Sequence, residues 1–310
     1  MNKKVLLEEI KKNYENGKNI IEYLHAIEER GGGNSFEDIM ISYDFQAGNY
    51  YQLYKDNPKF YSKMYDEMAA VLDVYIKASG DNSSILEAGV GEGRSLVSIL
   101  NRVDSSKING VYGFDASWSR IKYAEKFKMD FSENEKKISL FISDILNIAV
   151  KDSAIDIVFT VHAIEPNGGK EKQILEELYR ITKRYLVMFE PSYEFANEEA
   201  KNRMEHHGYI TRLYESAVEL GYTITRHELL RSLMDPMNPT GIIVIEKKQD
   251  DMKRNTNNNI FCDPILKGDL QIGKNECYCE KSMLAYPIIG GVPCLIADNA
   301  VVATKYKEFC

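Results

Sequence analysis

A glycine-rich turn follows a short apolar stretch in the first third of the chain. The pattern predicts a buried strand over residues 84–88 (SILEA), a turn over 89–93 (GVGEG) and a helix from residue 94. Such a turn can bring backbone N–H groups and a helix N-terminus to a nucleotide, because glycine has no side chain to keep the ligand away. The spacing G-x-G-x-G is not the G-x-G-x-x-G of dinucleotide-binding proteins, and a tight turn without a ligand stays an alternative.

Three acidic residues stand at or near the ends of predicted strands. Glu87 precedes the glycine turn by two positions, Asp115 ends the apolar run VYGFD, and Asp144 follows the run FIS. An acid about 20 residues beyond a glycine turn, at the carboxyl end of a strand, can accept hydrogen bonds from both hydroxyls of a ribose. The acids therefore predict a nucleoside site along one edge of a parallel sheet.

The segments EAGVGEG, GFDAS and ISDI, in this order, resemble the cofactor motifs of the class I S-adenosylmethionine (SAM) methyltransferases. In that family the glycine turn lies under the aminoacyl and ribose parts of SAM. The second acid binds the ribose, the third contacts the adenine amino group, and the residue after it lies against the adenine ring. The resemblance implies SAM as the cofactor and assigns it these contacts: Glu87, Gly89, Gly91, Gly93, Asp115, Ala116, Asp144 and Ile145.

A tyrosine-rich segment precedes the glycine turn. The stretch SYDFQAGNYYQLY resembles the Y-D-x-x-A-x-x-Y segment of many small-molecule methyltransferases, which forms a helix over the cofactor. Aromatic faces attract cations, and the sulfonium of SAM is a cation. We therefore assign Tyr43 and Gln46 to the cofactor and Tyr50 and Tyr51 to the substrate. The alternative is that these tyrosines only cover the edge of the sheet.

Methyl transfer requires an acceptor held in line with the methyl group, and a hydroxyl acceptor also needs help in losing its proton. The resemblance implies that the loops after the fourth and fifth strands face the methyl group. His162 is the predicted base, because histidine can take a proton near neutral pH, and packing beside the cofactor is its alternative role. Glu190 is the second catalytic candidate. The remaining residues predicted on the substrate side are Glu165, Tyr193, His206 and His207.

These side chains need a parallel sheet to bring them together. Strands alternate with helical patterns, and the last two strands are joined by a short turn, which makes that pair antiparallel. The predicted fold class is α/β, a Rossmann-like class I methyltransferase sheet with an antiparallel final hairpin. The predicted strands are 84–88, 110–115, 138–143, 154–161, 184–190, 222–230 and 241–247, and the predicted helices are 94–103, 117–128, 170–182 and 195–209.

Composition limits the classes of function. The net charge is −8 and no basic block is present, so nucleic acid is not expected as a partner. No apolar run reaches the roughly 20 residues that span a bilayer, and the first residues lack a signal-peptide core, so we expect a cytoplasmic protein without membrane contact. None of the five cysteines lies before residue 262, so disulfides do not hold the main body together.

Four regions are predicted. Residues 1–80 form a helical extension, either a lid or the surface of a homodimer, in which Gly31 to Gly33 end one helix and Asn34 or Ser35 caps the next. Residues 81–248 form the SAM-binding core, and residues 249–259 are a polar linker. Residues 260–310 form a small separate domain.

The last region resembles the zinc-ribbon-like domain that activates several methyltransferases in trans. Lys267 to Leu270 and Tyr286 to Pro293 match its pattern. Cys262 and Cys279 align with the first cysteine of each metal-binding pair, but Ile265 and Ser282 replace the second. Since a structural zinc site needs four ligands, we predict a metal-free domain.

Three functions follow as hypotheses. The first is a methyltransferase whose small-molecule acceptor is a sugar, a glycan precursor or a natural-product intermediate, methylated at oxygen or nitrogen. The N-terminal lid favours it, because lids enclose small ligands. The second is a methyltransferase acting on protein or tRNA, and the third is a non-catalytic SAM-binding scaffold.

Overall fold

The computed structural model describes residues 3–29, 33–133, 137–232, 235–252 and 259–309. Gly31, Gly32, Cys310 and the middle of the predicted linker lie outside these ranges. The helices are α1 Leu7–Glu15, α2 Ile20–Ile27, α3 Phe36–Phe45, α4 Asn49–Asp56, α5 Ser62–Ser79, α6 Arg94–Leu100, α7 Trp118–Phe131, α8 Glu171–Ile181, α9 Glu198–His206, α10 Leu213–Glu219 and α11 Tyr306–Phe309. The strands are β1 Ser83–Ala88, β2 Ile108–Asp115, β3 Ile138–Ser143, β4 Ile155–Val161, β5 Thr182–Pro191, β6 Thr223–Leu229, β7 Thr240–Glu246, β8 Gln271–Ile272, β9 Glu276–Cys279, β10 Leu284–Ile289, β11 Val292–Leu295 and β12 Val301–Val302.

The core of the molecule is a sheet in the order β6-β7-β5-β4-β1-β2-β3. Strands β1 to β5 are parallel, and β7 lies antiparallel between β5 and β6. The predicted α/β sheet with an antiparallel final pair is confirmed. Because β1 has β2 on one side and β4 on the other, the glycine turn after β1 lies where the strand order reverses. Open α/β sheets bind their ligands at this point.

Helix boundaries differ most from the prediction after β5. The predicted helix over 195–209 is shorter, because the Asn197 side chain caps α9 by accepting the N–H of Ala200 at 2.8 Å. A further helix, α10, packs against α8 and was not predicted. Among the described residues, no helix is both long and apolar enough to cross a membrane.

The N-terminal helices lie over the carboxyl edge of the sheet. Ser35 and Asp38 form a capping box at the start of α3, which confirms Ser35 as the predicted cap. The buried Nζ of Lys3 pairs with the fully buried carboxylate of Asp38, so the first described residue is fixed to α3. Apolar residues of α1, α2 and α3 form a small core of their own around Ile10, Ile20 and Leu24.

The C-terminal segment extends the central sheet. Strand β11 pairs in parallel with β3, with Cys294 beside Ile142 and Leu295 beside Ser143. Strands β10, β9 and β8 continue outward from β11 in antiparallel order. Buried residues of this segment, among them Tyr286 and Leu295, share one apolar core with residues of β1 to β5.

A carboxylate organises the region where the metal-binding pattern is incomplete. Asp263 is fully buried and accepts hydrogen bonds from the hydroxyls of Ser282 at 2.6 Å and Tyr286 at 2.8 Å. It also accepts the backbone N–H groups of Ile265 and Leu266. In the part of the chain that the structure describes, no group of three or more His, Cys, Asp or Glu side chains could hold a metal ion.

Candidate active site

A cavity of about 510 Å³ lies above the carboxyl ends of β1, β2 and β4. The glycine turn and the loop after β4 form its floor, α3, α4 and α5 cover one side, and the segment from α9 to β7 covers the other. The residues that line it include Tyr43, Tyr50, Tyr61, Tyr65, Gly89, Gly91, Glu92, Arg94, Asp115, Ala116, Arg120, Ile145, His162, Glu165, Arg203, Tyr209, Asn238 and Thr240.

The glycine turn needs its glycines for both conformation and space. Gly89, Gly91 and Gly93 all have positive φ angles, of 70°, 54° and 79°. A Cβ on Gly89 would lie 2.4 Å from the Cβ of Ala163, and one on Gly91 would lie 2.6 Å from a guanidinium nitrogen of Arg120. The turn therefore packs closely against the loop after β4 and against α7, and a side chain at either position would displace them.

Asp115 is held at the edge of this turn. Its Oδ2 accepts the N–H of Gly91 at 3.0 Å, and its Oδ1 accepts the N–H of Ser117 at 3.0 Å. The guanidinium of Arg120 lies 3.9 Å from Oδ2. The carboxylate is thus fixed in position, and it keeps lone pairs for further donors such as the hydroxyls of a ribose.

Glu92, between the second and third glycines, ties the turn to the helices above it. Its carboxylate accepts the backbone N–H groups of Gly48 at 3.0 Å, Tyr50 at 3.4 Å and Tyr51 at 2.6 Å, at the N-terminus of α4. These groups have no partner within the helix, and a negative charge is favourable there. The motif that binds the cofactor therefore also caps the helix that covers it.

Two arginines stack on tyrosines of the cover. The guanidinium of Arg94, the first residue of α6, lies 4.0 Å from the ring centre of Tyr61 and 5.0 Å from that of Tyr50. Arg120 lies 4.9 Å from the ring centre of Tyr43. The Nη1 of Arg94 is buried and has no hydrogen-bond partner among the described residues. Stacking holds the guanidinium plane while its N–H groups stay available to an anion.

His162 lies in the cavity at the end of β4, with the strained φ angle of 50°. Its Nε2 is 2.7 Å from the hydroxyl of Thr240, and its Nδ1 is 3.4 Å from a carboxylate oxygen of Glu165. Burial lowers the pKa of His162, but the hydrogen bond and charge of Glu165, with the charge of Glu190, more than offset this and the pKa is raised. The imidazole is thus oriented on both sides and is poised to exchange a proton.

Glu190 supports the loop of His162 from below rather than facing the cavity. Its carboxylate oxygens accept the N–H groups of Ala163 at 2.9 Å and Ile164 at 3.1 Å. Burial raises its pKa to about 7, although the His162 charge and the hydrogen bonds lower it. Its geometry suits a residue that positions His162, while the catalytic role predicted for it would require contact with the substrate.

The structure gathers nine of the predicted site residues around one cavity. They are Tyr43, Tyr50, Gly89, Gly91, Asp115, Ala116, Ile145, His162 and Glu165. The other predicted residues do not line it: Gln46, Tyr51, Glu87, Gly93, Asp144, Glu190, Tyr193, His206 and His207.

Most of the second group have partners elsewhere. The hydroxyl of Tyr51 donates to Asp130 at 2.6 Å, and its ring packs against aromatic side chains of α7. Tyr193 donates to Glu205, and Gln46 donates to Ser42 within its own helix. Asp144 accepts the N–H of Leu146 at 2.9 Å.

Gly93 lies against Ala124 of α7, at the N-cap of α6. His206 and His207 end α9, where their rings contact each other with centroids 5.1 Å apart.

Comparison with known proteins finds a family match in the core of the chain. Residues 85–185 match the family model described as a methyltransferase domain. Among solved structures, the chain is similar to magnesium protoporphyrin IX methyltransferase from Synechocystis PCC 6803, at 13% identity and a TM-score of 0.46 over 70% of this chain and 90% of that one. It is also similar to a SAM-dependent methyltransferase from Aquifex aeolicus, at 18% identity and a TM-score of 0.41 over 56% and 87% of the two chains.

These structural likenesses are too distant to bear on the activity. The domain match, together with the strand order and the glycine turn, supports a SAM-dependent methyltransferase.

The residues present fit SAM as a cofactor. Two buried polar atoms near the turn have no hydrogen-bond partner among the described residues. One is the Nη1 of Arg94, and the other is the Oε2 of Glu87, in the strand that leads into the turn. Burial raises the pKa of Glu87 to about 8, even though Ser95 and the nearby charge of Arg94 lower it. The carboxylate of an amino-acid group would complement Arg94, which lines the cavity. Asp115 suits the ribose, and the tyrosine faces suit a sulfonium.

Proposed function

We propose that this protein transfers the methyl group of SAM to a small-molecule acceptor. The observation that carries the proposal is the cover of the cavity by α3, α4 and α5 on one side and by the segment around Arg203 and Tyr209 on the other. Its volume of about 510 Å³ lies within the roughly 300–1,000 Å³ typical of small-molecule sites. A cavity of this size with cover on two sides favours a small molecule over a protein side chain or a base of tRNA as the acceptor.

The roles of the residues follow from their positions. SAM supplies an electrophilic methyl group on its sulfonium. Asp115 holds the ribose end, Arg94 holds the carboxylate end, and His162 takes a proton from the acceptor. Glu165 orients the imidazole through Nδ1 and stabilises its protonated form. Asn238 donates to Glu165 at 2.9 Å and so fixes that carboxylate in turn.

We further infer that residues 260–309 act as a metal-free counterpart, fused to the enzyme, of the activator domain that they resemble. The pairing of β11 with β3 supports this role. Leu295 lies beside Ser143, directly before Asp144 and Ile145, the residues predicted to contact adenine. The Asp263 hydrogen bonds to Ser282 and Tyr286 give the domain an internal tie where the related pattern has metal ligands.

The test uses purified full-length protein, SAM and a cell extract divided by ultrafiltration into small molecules and macromolecules. We expect S-adenosylhomocysteine (SAH) to accumulate with the small-molecule fraction. His162→Ala should lower the rate by about 10²–10⁴-fold, the usual contribution of positioned proton transfer, while SAH affinity changes little. Formation of SAH with only the macromolecular fraction would contradict the proposed acceptor class. Tight SAM binding without turnover in either fraction would favour a scaffold.

A further inference from the structure

The charged side chains around the cavity leave two cations without an acidic partner. Of the acids that line it, Asp115 is engaged by backbone N–H groups and Arg120, Glu92 by the N-terminus of α4, and Glu165 by His162 and Asn238. Asp235, the fourth, is exposed and accepts the N–H of Met237. Among the described residues, neither Arg94 nor Arg203 has a carboxylate within ion-pair distance, and in each the Nη1 is buried without a hydrogen-bond partner.

Arg203 belongs to the side of the cavity away from the adenosine end. It lies in α9, the helix that follows β5, whereas Asp115 ends β2 and Ile145 follows β3, on the other side of β1. Its guanidinium lies 5.4 Å from the ring centre of Tyr209, which also lines the cavity. The segment after α9 is tied to the loop of His162, because Ile210 donates its N–H to the carbonyl oxygen of Glu165 at 3.0 Å.

The cofactor can satisfy only one of the two arginines. SAM carries a single carboxylate, and Arg94, at the start of the helix that follows the glycine turn, is placed for it. Arg203 then remains beside the loop of the proposed base as a half-buried cation whose Nη1 is buried without a hydrogen-bond partner among the described residues. A buried donor without an acceptor is costly unless a ligand completes it, and the planar donors of a guanidinium match a carboxylate or a phosphate.

We propose that the methyl acceptor is a small anion whose carboxylate or phosphate group is bound by Arg203 over the Tyr209 ring. The inference rests on the proposed function and narrows its substrate class. Neighbouring polar atoms would recognise the rest of the acceptor. The Oδ1 of Asn238, which also lines the cavity, is buried and without a donor, so it can accept from a hydroxyl or amine of the acceptor.

The experiment measures binding of benzoate, its uncharged analogue benzamide, and inorganic phosphate to the SAH-loaded protein by calorimetry. We expect the wild type to prefer benzoate to benzamide by about tenfold to a hundredfold, the range of one hydrogen bond to a charged group. Arg203→Met should abolish the preference and the binding of phosphate, and Arg203→Lys should keep part of both. The matched control is Arg212→Met, because Arg212 is an exposed arginine paired with Glu215 and Glu219 outside the cavity.

The outcomes separate this proposal from the proposed function. Failure of the wild type to bind SAH would contradict the proposed function itself. If SAH binds, three results would overturn only the anionic acceptor. They are equal affinity for benzoate and benzamide, no binding of any probe, and a preference for benzoate that survives Arg203→Met.

Methylthioadenosine, which lacks the amino-acid part of SAH, identifies the source of the anion. If Arg203→Met weakens SAH but not methylthioadenosine, Arg203 binds the cofactor and the proposal is overturned. Thermal unfolding of both Arg203 variants checks that each is folded.

Discussion

Substitution of Glu92 should release the helix that covers the cofactor. Glu92 is only 2% exposed, and it makes two short contacts with α4, of 3.0 and 2.6 Å, and one longer contact of 3.4 Å. Each hydrogen bond to a charged group contributes about 1.5–3 kcal/mol, and water can replace part of what is lost. For Glu92→Ala we therefore expect local opening of α4 to become easier by about 2–4 kcal/mol, mostly from the two short contacts.

Hydrogen exchange measures this opening directly. At about 1.4 kcal/mol per factor of ten, amides of residues 50–56 should exchange about 30- to 700-fold faster in Glu92→Ala. Glu92→Gln should lie between this variant and the wild type, since the amide keeps one accepting oxygen but loses the charge. SAH affinity should fall as well, because binding must then also order the cover.

The matched control is Glu8→Ala, since Glu8 is an exposed acid of α1 paired with Lys12. It should leave exchange in α4 unchanged. Exchange of α4 in Glu92→Ala at the wild-type rate would refute the idea that the glycine turn holds the cover in place.

Four other outcomes are expected. Asp115→Ala should weaken SAH by about tenfold or more in calorimetry, whereas Asp81→Ala, at an exposed aspartate paired with Lys107, should not, and equal affinities would remove Asp115 from the site. Burial raises the pKa of Glu87 to about 8 in the folded protein, whereas the pKa in the unfolded chain is about 4.3. Between these pH values the folded protein keeps a proton that the unfolded chain has released. The stability due to this group therefore falls as pH rises towards 8 and is lost above it. The Tm advantage of Glu87→Gln over the wild type should accordingly grow between pH 5 and 8, and a constant difference would contradict the shift. A chain ending at residue 252 lacks β11 and exposes the edge of β3. It should therefore self-associate, as seen by size-exclusion chromatography, and bind SAH more weakly. Monomeric protein with full affinity would show that β11 is dispensable. Elemental analysis should find no stoichiometric zinc, and one zinc per chain would overturn the metal-free assignment.

The parts of the fold that sequence predicts are those with a local signal. Each strand of the core is a short apolar run, and the acids and glycines that end these runs mark the carboxyl edge where the site forms. Tyr43 and Tyr50 could be placed near the cofactor because their spacing resembles a known segment. Tyr51 is adjacent to Tyr50 but faces α7, since neighbouring residues of a helix point in different directions.

The missed features depend on partners distant in the chain. Glu92 lies between two glycines of the turn, but its partners are N–H groups at the start of α4, 41 to 44 residues earlier in the chain. No pattern around Glu92 indicates these partners. Arg203 lies in the charged helix EEAKNRMEH, whose pattern is that of any solvated surface helix. Only the packing of α9 over the cavity distinguishes Arg203 from Lys201, which lies over Tyr193 instead. No local pattern could indicate that β11 pairs with β3.

The pairing of β11 with β3 also fixes an order of events during synthesis. Every strand of the core before β11 finds its neighbours within the first 246 residues, so the sheet can form while the C-terminal segment is still being made. The support beside Ser143 arrives only once Leu295 has been synthesised. We therefore expect nascent chains to acquire the fold before they acquire full affinity for the cofactor. A ribosome-bound chain halted before residue 292 should already resist proteolysis in its core yet retain SAH weakly, so that tight binding of the nucleoside marks a chain that has added β11.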